Sequence, residues 1–358
     1  MRSRLTNQPD LARISFLVPP AAQRIGGIDT ALDGLSRHLT ADSGTVLGTS
    51  ETDFESGTDL VHFHGMWQTQ HRDAYQQCLT ADIPYVVSPH GMLEPWAWQH
   101  KIWKKWPYFK LIERRQLQNA AAVFAASILE AKNMAKFVAP ERVKVLPFGI
   151  DAKGLPDRET ARQRLGFGED ERILLYFSRI DRKKGLDMLL DALCTAPTSG
   201  WRLVIAGNGD AEFTRELKAF AATHDTELPP ITWVGGAWGP ERWDYLVGAD
   251  LFCLPTRSEN FGFAVLEALW AGTPVLTTDT TPWAQHRDVD GVHICAPSIS
   301  DLHTALRSTL TGADFSTERR DALRHWCEDT YHWNTVAEQY ALTYRELTET
   351  ESAPCLIS

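Results

Sequence analysis

Ser258-Glu259-Asn260-Phe261-Gly262-Phe263-Ala264-Val265-Leu266-Glu267-Ala268-Leu269 carries a loop into a helix. The run before it, Leu251 to Leu254, is short, apolar and closed by Pro255, and reads as a strand buried on both faces. Gly262 then opens the helix. The first amides of a helix have no partner within it and sit at the positive end of its dipole, so this position favours an anion. Glu267 is the lone carboxylate in the apolar stretch from Phe263 to Trp270. A carboxylate in apolar surroundings needs partners. Sugar hydroxyls can supply them, and so can a cation on a neighbouring helix. Glu259 stands just ahead of the helix. Two carboxylates flanking one anion-binding helix start suit a ligand with hydroxyls on both sides of a diphosphate.

Working outward, the same order of strand, loop and helix repeats along the chain. Strands are expected at 14–18, 60–63, 85–88, 122–125 and 143–146, then at 173–177, 202–206, 231–234, 251–254, 274–277 and 292–295. Helices are expected between them. Ser127 with Glu130 fits a capping box opening a helix through Lys136, and an apolar stripe of helical spacing follows Gly185. Two such arrays in succession predict an α/β protein of two doubly wound parallel-sheet domains. Gly149, Gly154 and Pro156 punctuate the join, and a charged helix over 157–165 leads into the second array. The expected divisions are 1–150, 151–330 and a last segment, 331–358, with 318–347 helical and 348–358 a frayed end.

Other constellations sit at strand ends. Gly26-Gly27 opens a helix, as a tight turn or as bare backbone against a phosphate. Ser178-Arg179 and Lys184 follow a strand at the edge where open α/β sheets bind ligands. They grip an anion there, or form a solvated basic loop with Arg182 and Lys183. His90 follows Ser88-Pro89, its ring held by a loop carbonyl or free to act. Asp288-Val289-Asp290 runs into Gly291 and reads as a turn rather than a metal site.

Taken together, the chain resembles the retaining GT-B glycosyltransferases of family 4. Glu259 and Glu267 match that family's E-x7-E motif. Gly26-Gly27, His64-Gly65, His90-Gly91, Phe148-Gly149-Ile150-Asp151, Arg179 with Lys184, and Gly207-Asn208-Gly209 support it in the same order along nearly the whole chain. Two departures stand out: Ser178 replaces the usual Gly before the arginine, and Phe148-Gly149 replaces Asn-Gly. The resemblance implies two Rossmann-like domains facing a cleft. The N-terminal domain would hold the acceptor, the C-terminal domain a nucleoside diphosphate sugar, and the last helix would cross back to the N-terminal domain.

It also implies roles. Arg179 and Lys184 neutralise the diphosphate, with Gly26 and Gly27 lying against it. Glu267 holds the ribose hydroxyls. Glu259, with the amides around Asn260, Phe261 and Gly262, holds the donor sugar. The base meets largely backbone, near Gly207 to Gly209 and Val234 to Trp238. His64, Trp67 and His90 meet the acceptor, and His90, Arg179, Lys184 and Glu259 form the catalytic set. The implied reaction moves a hexosyl group to a hydroxyl acceptor, carbohydrate or lipid-linked, in cell-surface polysaccharide or glycolipid assembly. The protein's own cations serve the leaving group, so no metal or other cofactor is implied. Two rivals bind the same ligand: a GT-B sugar-nucleotide epimerase and a non-catalytic sugar-nucleotide-binding protein.

The segment 95–115 holds Trp96, Trp98, Trp103 and Trp106 among Lys101, Lys104, Lys105, Lys110, Arg114 and Arg115, with Glu113 its single acid. Tryptophan favours the lipid interface and the cations favour anionic lipid, so peripheral membrane contact stands beside an acceptor platform and a buried aromatic core. A loop is expected there, then a helix from Pro107. The chain of 358 residues carries a net charge of −10, which disfavours general nucleic-acid binding. Its six cysteines form no CxxC pair, which argues against a disulfide framework or a structural zinc site. The expected setting is cytoplasmic, including the inner face of the cytoplasmic membrane.

Overall fold

The computed structural model describes residues 12–21, 24, 27–42, 46–95 and 106–349. The chain divides into two compact units, with boundaries between Gly149 and Ile150 and between His332 and Trp333.

In the first unit, β1 (Arg13–Leu17), β2 (Val46–Ser50), β3 (Leu60–His64), β4 (Tyr85–Ser88), β5 (Ala122–Ala125) and β6 (Val143–Val145) form one parallel sheet, ordered β2-β1-β3-β4-β5-β6. Its helices are α1 (Ile28–Asp42), α2 (His71–Ala81), α3 (Arg114–Asn119) and α4 (Ile128–Met134). Side chains alternate across the sheet. Leu17, Val61, Phe63, Val87 and Val123 bury one face with Tyr75, Leu117 and Met134. Phe16, His62 and Phe124 belong to the other face, where their rings contact one another. The hydroxyl of Ser127 accepts from the Glu130 amide at 3.0 Å and so caps α4, a bond of about 1 kcal/mol.

In the second unit, α5 (Arg158–Leu165) leads into β7 (Arg172–Phe177), α6 (Leu186–Leu193), β8 (Trp201–Ala206), α7 (Ala211–Thr223), β9 (Ile231–Gly235) and α8 (Glu241–Gly248). Then come β10 (Leu251–Leu254), α9 (Phe263–Trp270), β11 (Val275–Thr278), β12 (Val292–Cys295), α10 (Ile299–Gly312) and α11 (Thr317–Tyr331). The parallel sheet is ordered β12-β11-β10-β7-β8-β9. Asp250, 1% exposed, accepts hydrogen bonds from Arg158, Arg162, Arg172 and the Ile173 amide, locking α5 to the start of β7. The expected helix from Asp157 thus forms, with the Asp157 carboxylate capping it through the Thr160 amide at 2.8 Å.

The last helix, α12 (Trp333–Glu349), packs on α1 of the first unit. Trp333 explains Gly34: a Cβ there would lie 2.1 Å from the indole. The single helical tail expected over 318–347 is two helices, because His332 is extended (φ −61°, ψ 137°). The edge strand β2 was not expected, because Gly48, Thr49 and Ser50 dilute its apolar signal and it pairs only with β1. The helix expected from Pro107 is present, with Phe109–Glu113 a π-helix that runs directly into α3.

Candidate active site

In the second sheet the chain moves from β7 through β8 to β9, then returns to place β10 on the other side of β7. The carboxyl ends of β7 and β10 therefore flank the topological switch point, where open α/β sheets bind ligands. Backbone bonds hold the loops there. The Arg257 amide donates to the Lys183 carbonyl at 2.7 Å, and the Thr256 hydroxyl donates to the same oxygen at 3.0 Å. On the other flank the Ile180 amide donates to the Asn208 carbonyl at 3.0 Å. A Cβ on Gly207 would come within 1.8 Å of the Ser178 oxygen, and one on Gly209 within 1.9 Å of the Ile180 oxygen. The Gly207-Asn208-Gly209 pattern is thus a close approach of two loops.

Arg179 lies exposed at this point, and its guanidinium has no ion-pair partner among the described residues. Lys184 forms an ion pair with Glu259, their side chains 11% and 13% exposed. Burial alone would raise the Glu259 carboxyl. Lys184, Lys183 and the Asn260 amide outweigh it and hold the group below its usual range. Glu267 faces Arg242 of α8 at 3.2 Å. This is the neighbouring-helix cation left open in the sequence. Burial still raises the Glu267 carboxyl, with Arg242 opposing it.

Gly262 caps α9 at φ +85°, and a Cβ there would meet the Trp283 indole nitrogen at 2.9 Å. Trp283 in turn donates to the Phe261 carbonyl at 2.7 Å, and the Phe261 ring is buried. Phe261 therefore shapes the loop from beneath rather than presenting its ring to a ligand. Asp290 pairs with Arg319.

In the first unit, β3 and β4 place three histidines together. His62 shares hydrogens with the Tyr344 and Ser88 hydroxyls, each at 2.7 Å. His64 Nδ1 lies 3.0 Å from His90 Nε2, and the two rings stack. His64 is fully buried. Its ring packs against Phe16, His62 and His90. His90 follows Pro89 in the left-handed region, φ +51°. The Gly91 amide next to it donates to Glu130 at 2.7 Å, and so does the Ala126 amide. Burial lowers His90 to about 4 and raises Glu130 to about 8. His90 is therefore a neutral imidazole near pH 7.

Trp67, half-exposed at φ +67°, donates its amide to Glu113 of the π-helix at 2.8 Å. Gly27 precedes α1 at φ +95°; the expectations for Gly26 and for Trp96 to Lys105 lie outside the described residues. Sequence reasoning gave no site role to His62, Glu113, Glu130 or Arg242: Glu130 was read only as part of a capping box and Glu113 only as the single acid of its segment, while His62 shares a strand face with His64.

Residues 157–326 match the family described as glycosyl transferases group 1, and residues 50–153 match Glycosyltransferase Family 4. The chain belongs to these glycosyltransferases. This glycosyltransferase is 31% identical over 62% of its length to a Bacillus subtilis protein named for teichuronic acid biosynthesis. It is 27% identical over 87% of its length to a GDP-mannose:cellobiosyl-diphosphopolyprenol alpha-mannosyltransferase of Xanthomonas campestris. The match spans about half (53%) of the Bacillus protein's own length and 78% of the mannosyltransferase's.

Among solved structures, the glycosyltransferase superposes on a sucrose-phosphate synthase from Thermosynechococcus elongatus with a TM-score of 0.77 and 19% identity, covering 94% of this chain and 99% of that one. Anabaena HepE in complex with UDP and glucose gives 0.71 and 17%, covering 94% and 100%. These likenesses establish the GT-B fold of two Rossmann-like units.

Proposed function

We propose that this glycosyltransferase moves a hexosyl group from a nucleoside diphosphate sugar to a hydroxyl acceptor with retention, in polysaccharide or glycolipid assembly. The observation that carries the reading is the Lys184–Glu259 pair at the switch point of the second sheet, in the same loop after β7 that carries the exposed Arg179. A largely buried ion pair is weak evidence of a stability device, and cations in one loop suit a diphosphate. Relatives named for mannosyl transfer from GDP-mannose, and a fold neighbour in complex with UDP and glucose, support the donor class.

In this reading Arg179 and Lys184 take the diphosphate, Glu259 the sugar hydroxyls and Glu267 the ribose. The bond between the anomeric carbon and the diphosphate oxygen breaks, its electron pair leaving with that oxygen, as the acceptor oxygen bonds the anomeric carbon on the same face. The departing phosphate oxygen takes the acceptor's proton, so His90 is needed for hydrogen bonding rather than as base. The two cations stabilise the leaving charge, a preorganised electrostatic role. Anomeric analysis of product formed by the purified protein, with and without EDTA, tests this. Retention that survives chelation is expected; inversion or an absolute metal requirement contradicts it.

We extend the proposal to the acceptor's setting. Trp106 and Leu111, 53% and 70% exposed, stand beside exposed Lys110, Arg114 and Arg115. No helix among the described residues is long and apolar enough to cross a membrane. This patch fits peripheral contact with anionic lipid, each cation contributing about 1 kcal/mol near the surface. Flotation with anionic but not neutral liposomes is expected, and equal recovery with both contradicts it.

A further inference from the structure

The histidine pair of the first unit poses a question that the reaction scheme leaves open: which nitrogen of His90 carries the proton? His64 Nδ1 and His90 Nε2 share one hydrogen at 3.0 Å. The other nitrogen of His64, Nε2, is buried with no hydrogen-bond partner, and the residue as a whole is 0% exposed. The ring is fixed in place by His62, whose centroid is 3.8 Å away, and by Phe16 at 4.7 Å. His62 cannot decide the proton's place, since both its nitrogens meet hydroxyls that donate or accept.

Two arrangements satisfy the shared hydrogen. If His90 donates, His64 must carry its own proton on Nε2, leaving an N–H donor buried without an acceptor. If His64 donates from Nδ1, its Nε2 is only a bare lone pair. An orphaned buried N–H is the rarer and costlier of the two. We infer that His64 is a positioning residue that donates from Nδ1 to His90 Nε2 and so fixes His90 as the Nδ1–H tautomer, a hydrogen-bond donor toward substrate.

Burial holds both rings neutral near pH 7, which keeps the assignment a matter of tautomer. His90 Nδ1 has no hydrogen-bond partner among the described residues, and the residue is only partly buried. Glu130 supports the arrangement from the other side by holding the Gly91 amide at 2.7 Å. The inference rests on the reading that His90 meets substrate, but its chemistry can be read without turnover. It assigns His90 a sugar or acceptor oxygen as ligand and excludes it as a base at Nδ1.

The test is a long-range ¹H–¹⁵N correlation on the full chain with ¹⁵N-labelled histidine, the His90 signals being assigned by their loss in His90→Gln. The expected pattern is protonated Nδ1 and bare Nε2. The opposite pattern in the wild-type protein overturns the inference, whether or not any His64 variant folds. His64→Phe keeps an aromatic ring but removes the donor, and should move the His90 proton toward Nε2. His64→Asn, whose amide replaces Nδ1–H, should keep it on Nδ1. In turnover, His64→Phe should lower kcat about tenfold with little change in donor KM, and His64→Asn should recover most of it. An unchanged His90 tautomer in His64→Phe overturns the inference. Full activity in His90→Ala, with the wild-type tautomer as expected, would instead overturn the role of His90 in the reaction.

Discussion

At the scale of single residues, Arg179 and Lys184 share a proposed ligand but differ in surroundings, and that difference separates their variants. Arg179 is exposed and has no ion-pair partner among the described residues, so Arg179→Ala should remove about 2–4 kcal/mol of transition-state stabilisation and leave the fold untouched. Lys184 compensates a largely buried Glu259. Lys184→Ala should lose activity to a similar degree and also destabilise the protein by about 3–5 kcal/mol, because it strands a carboxylate. Steady-state kinetics and thermal melts on both variants check this. Equal stability of the two would mean that the Lys184–Glu259 pair is loose in solution. Near-normal turnover in both would remove the diphosphate from this site.

At the scale of elements, the loops after β7, β8 and β10 behave as one assembly, and glycines permit it. Gly209→Ala would drive a methyl to 1.9 Å from the Ile180 oxygen. Backbone must then shift, at a cost of about 1–3 kcal/mol. Because the same loop carries Arg179, donor KM should rise as well. Denaturant melts and donor titration measure the two effects; a change in neither would mean the loops part easily.

This is also the scale at which the sequence was most legible. Parallel strands buried on both faces stood out as short apolar runs, and β4, β5, β10 and β12 begin and end where those runs do. β2 did not stand out, because an edge strand buries little and its composition shows it. The break at His332 was hidden because no Gly or Pro marks it. At the site, Glu259 ahead of α9, Glu267 within it and the cations after β7 were singled out by the family resemblance, since spacing along one loop and one helix left other readings open. Arg242, Glu113 and Glu130 were not. Each acts on a residue distant in sequence, Glu267, Trp67 and Gly91 respectively, and no local pattern encodes such a meeting.

For the molecule as a whole, the buried histidines set acid stability. Burial lowers His71 and His90 to about 4, and His62 and His64 well below their usual value. The unfolded chain takes up protons below about pH 6.5, whereas the folded chain does so only near 4. Their contribution is therefore full above about pH 6.5 and is lost as pH falls toward 4. Glu130, raised to about 8, and Glu113, raised to about 7, act in the opposite direction as pH falls, so the histidine part is read from the difference between the wild-type protein and a histidine variant. His71→Gln keeps a donor near the Val18 carbonyl, now 3.3 Å from His71 Nε2, but cannot titrate. It should flatten the slope by about one proton. An identical slope in the variant would mean His71 is already protonated in the folded state.

The account as a whole rests on one claim, that the second unit receives a nucleoside diphosphate at the carboxyl ends of β7 and β10. Thermal melts of the wild-type protein and Arg179→Ala with UDP, GDP and ADP test it most directly. A ligand at a hundred times its Kd stabilises the folded state by about 2.7 kcal/mol. At least one of the three should raise the wild-type Tm and do markedly less in Arg179→Ala. Equal shifts in both proteins, or no shift with any of the three, would contradict the claim.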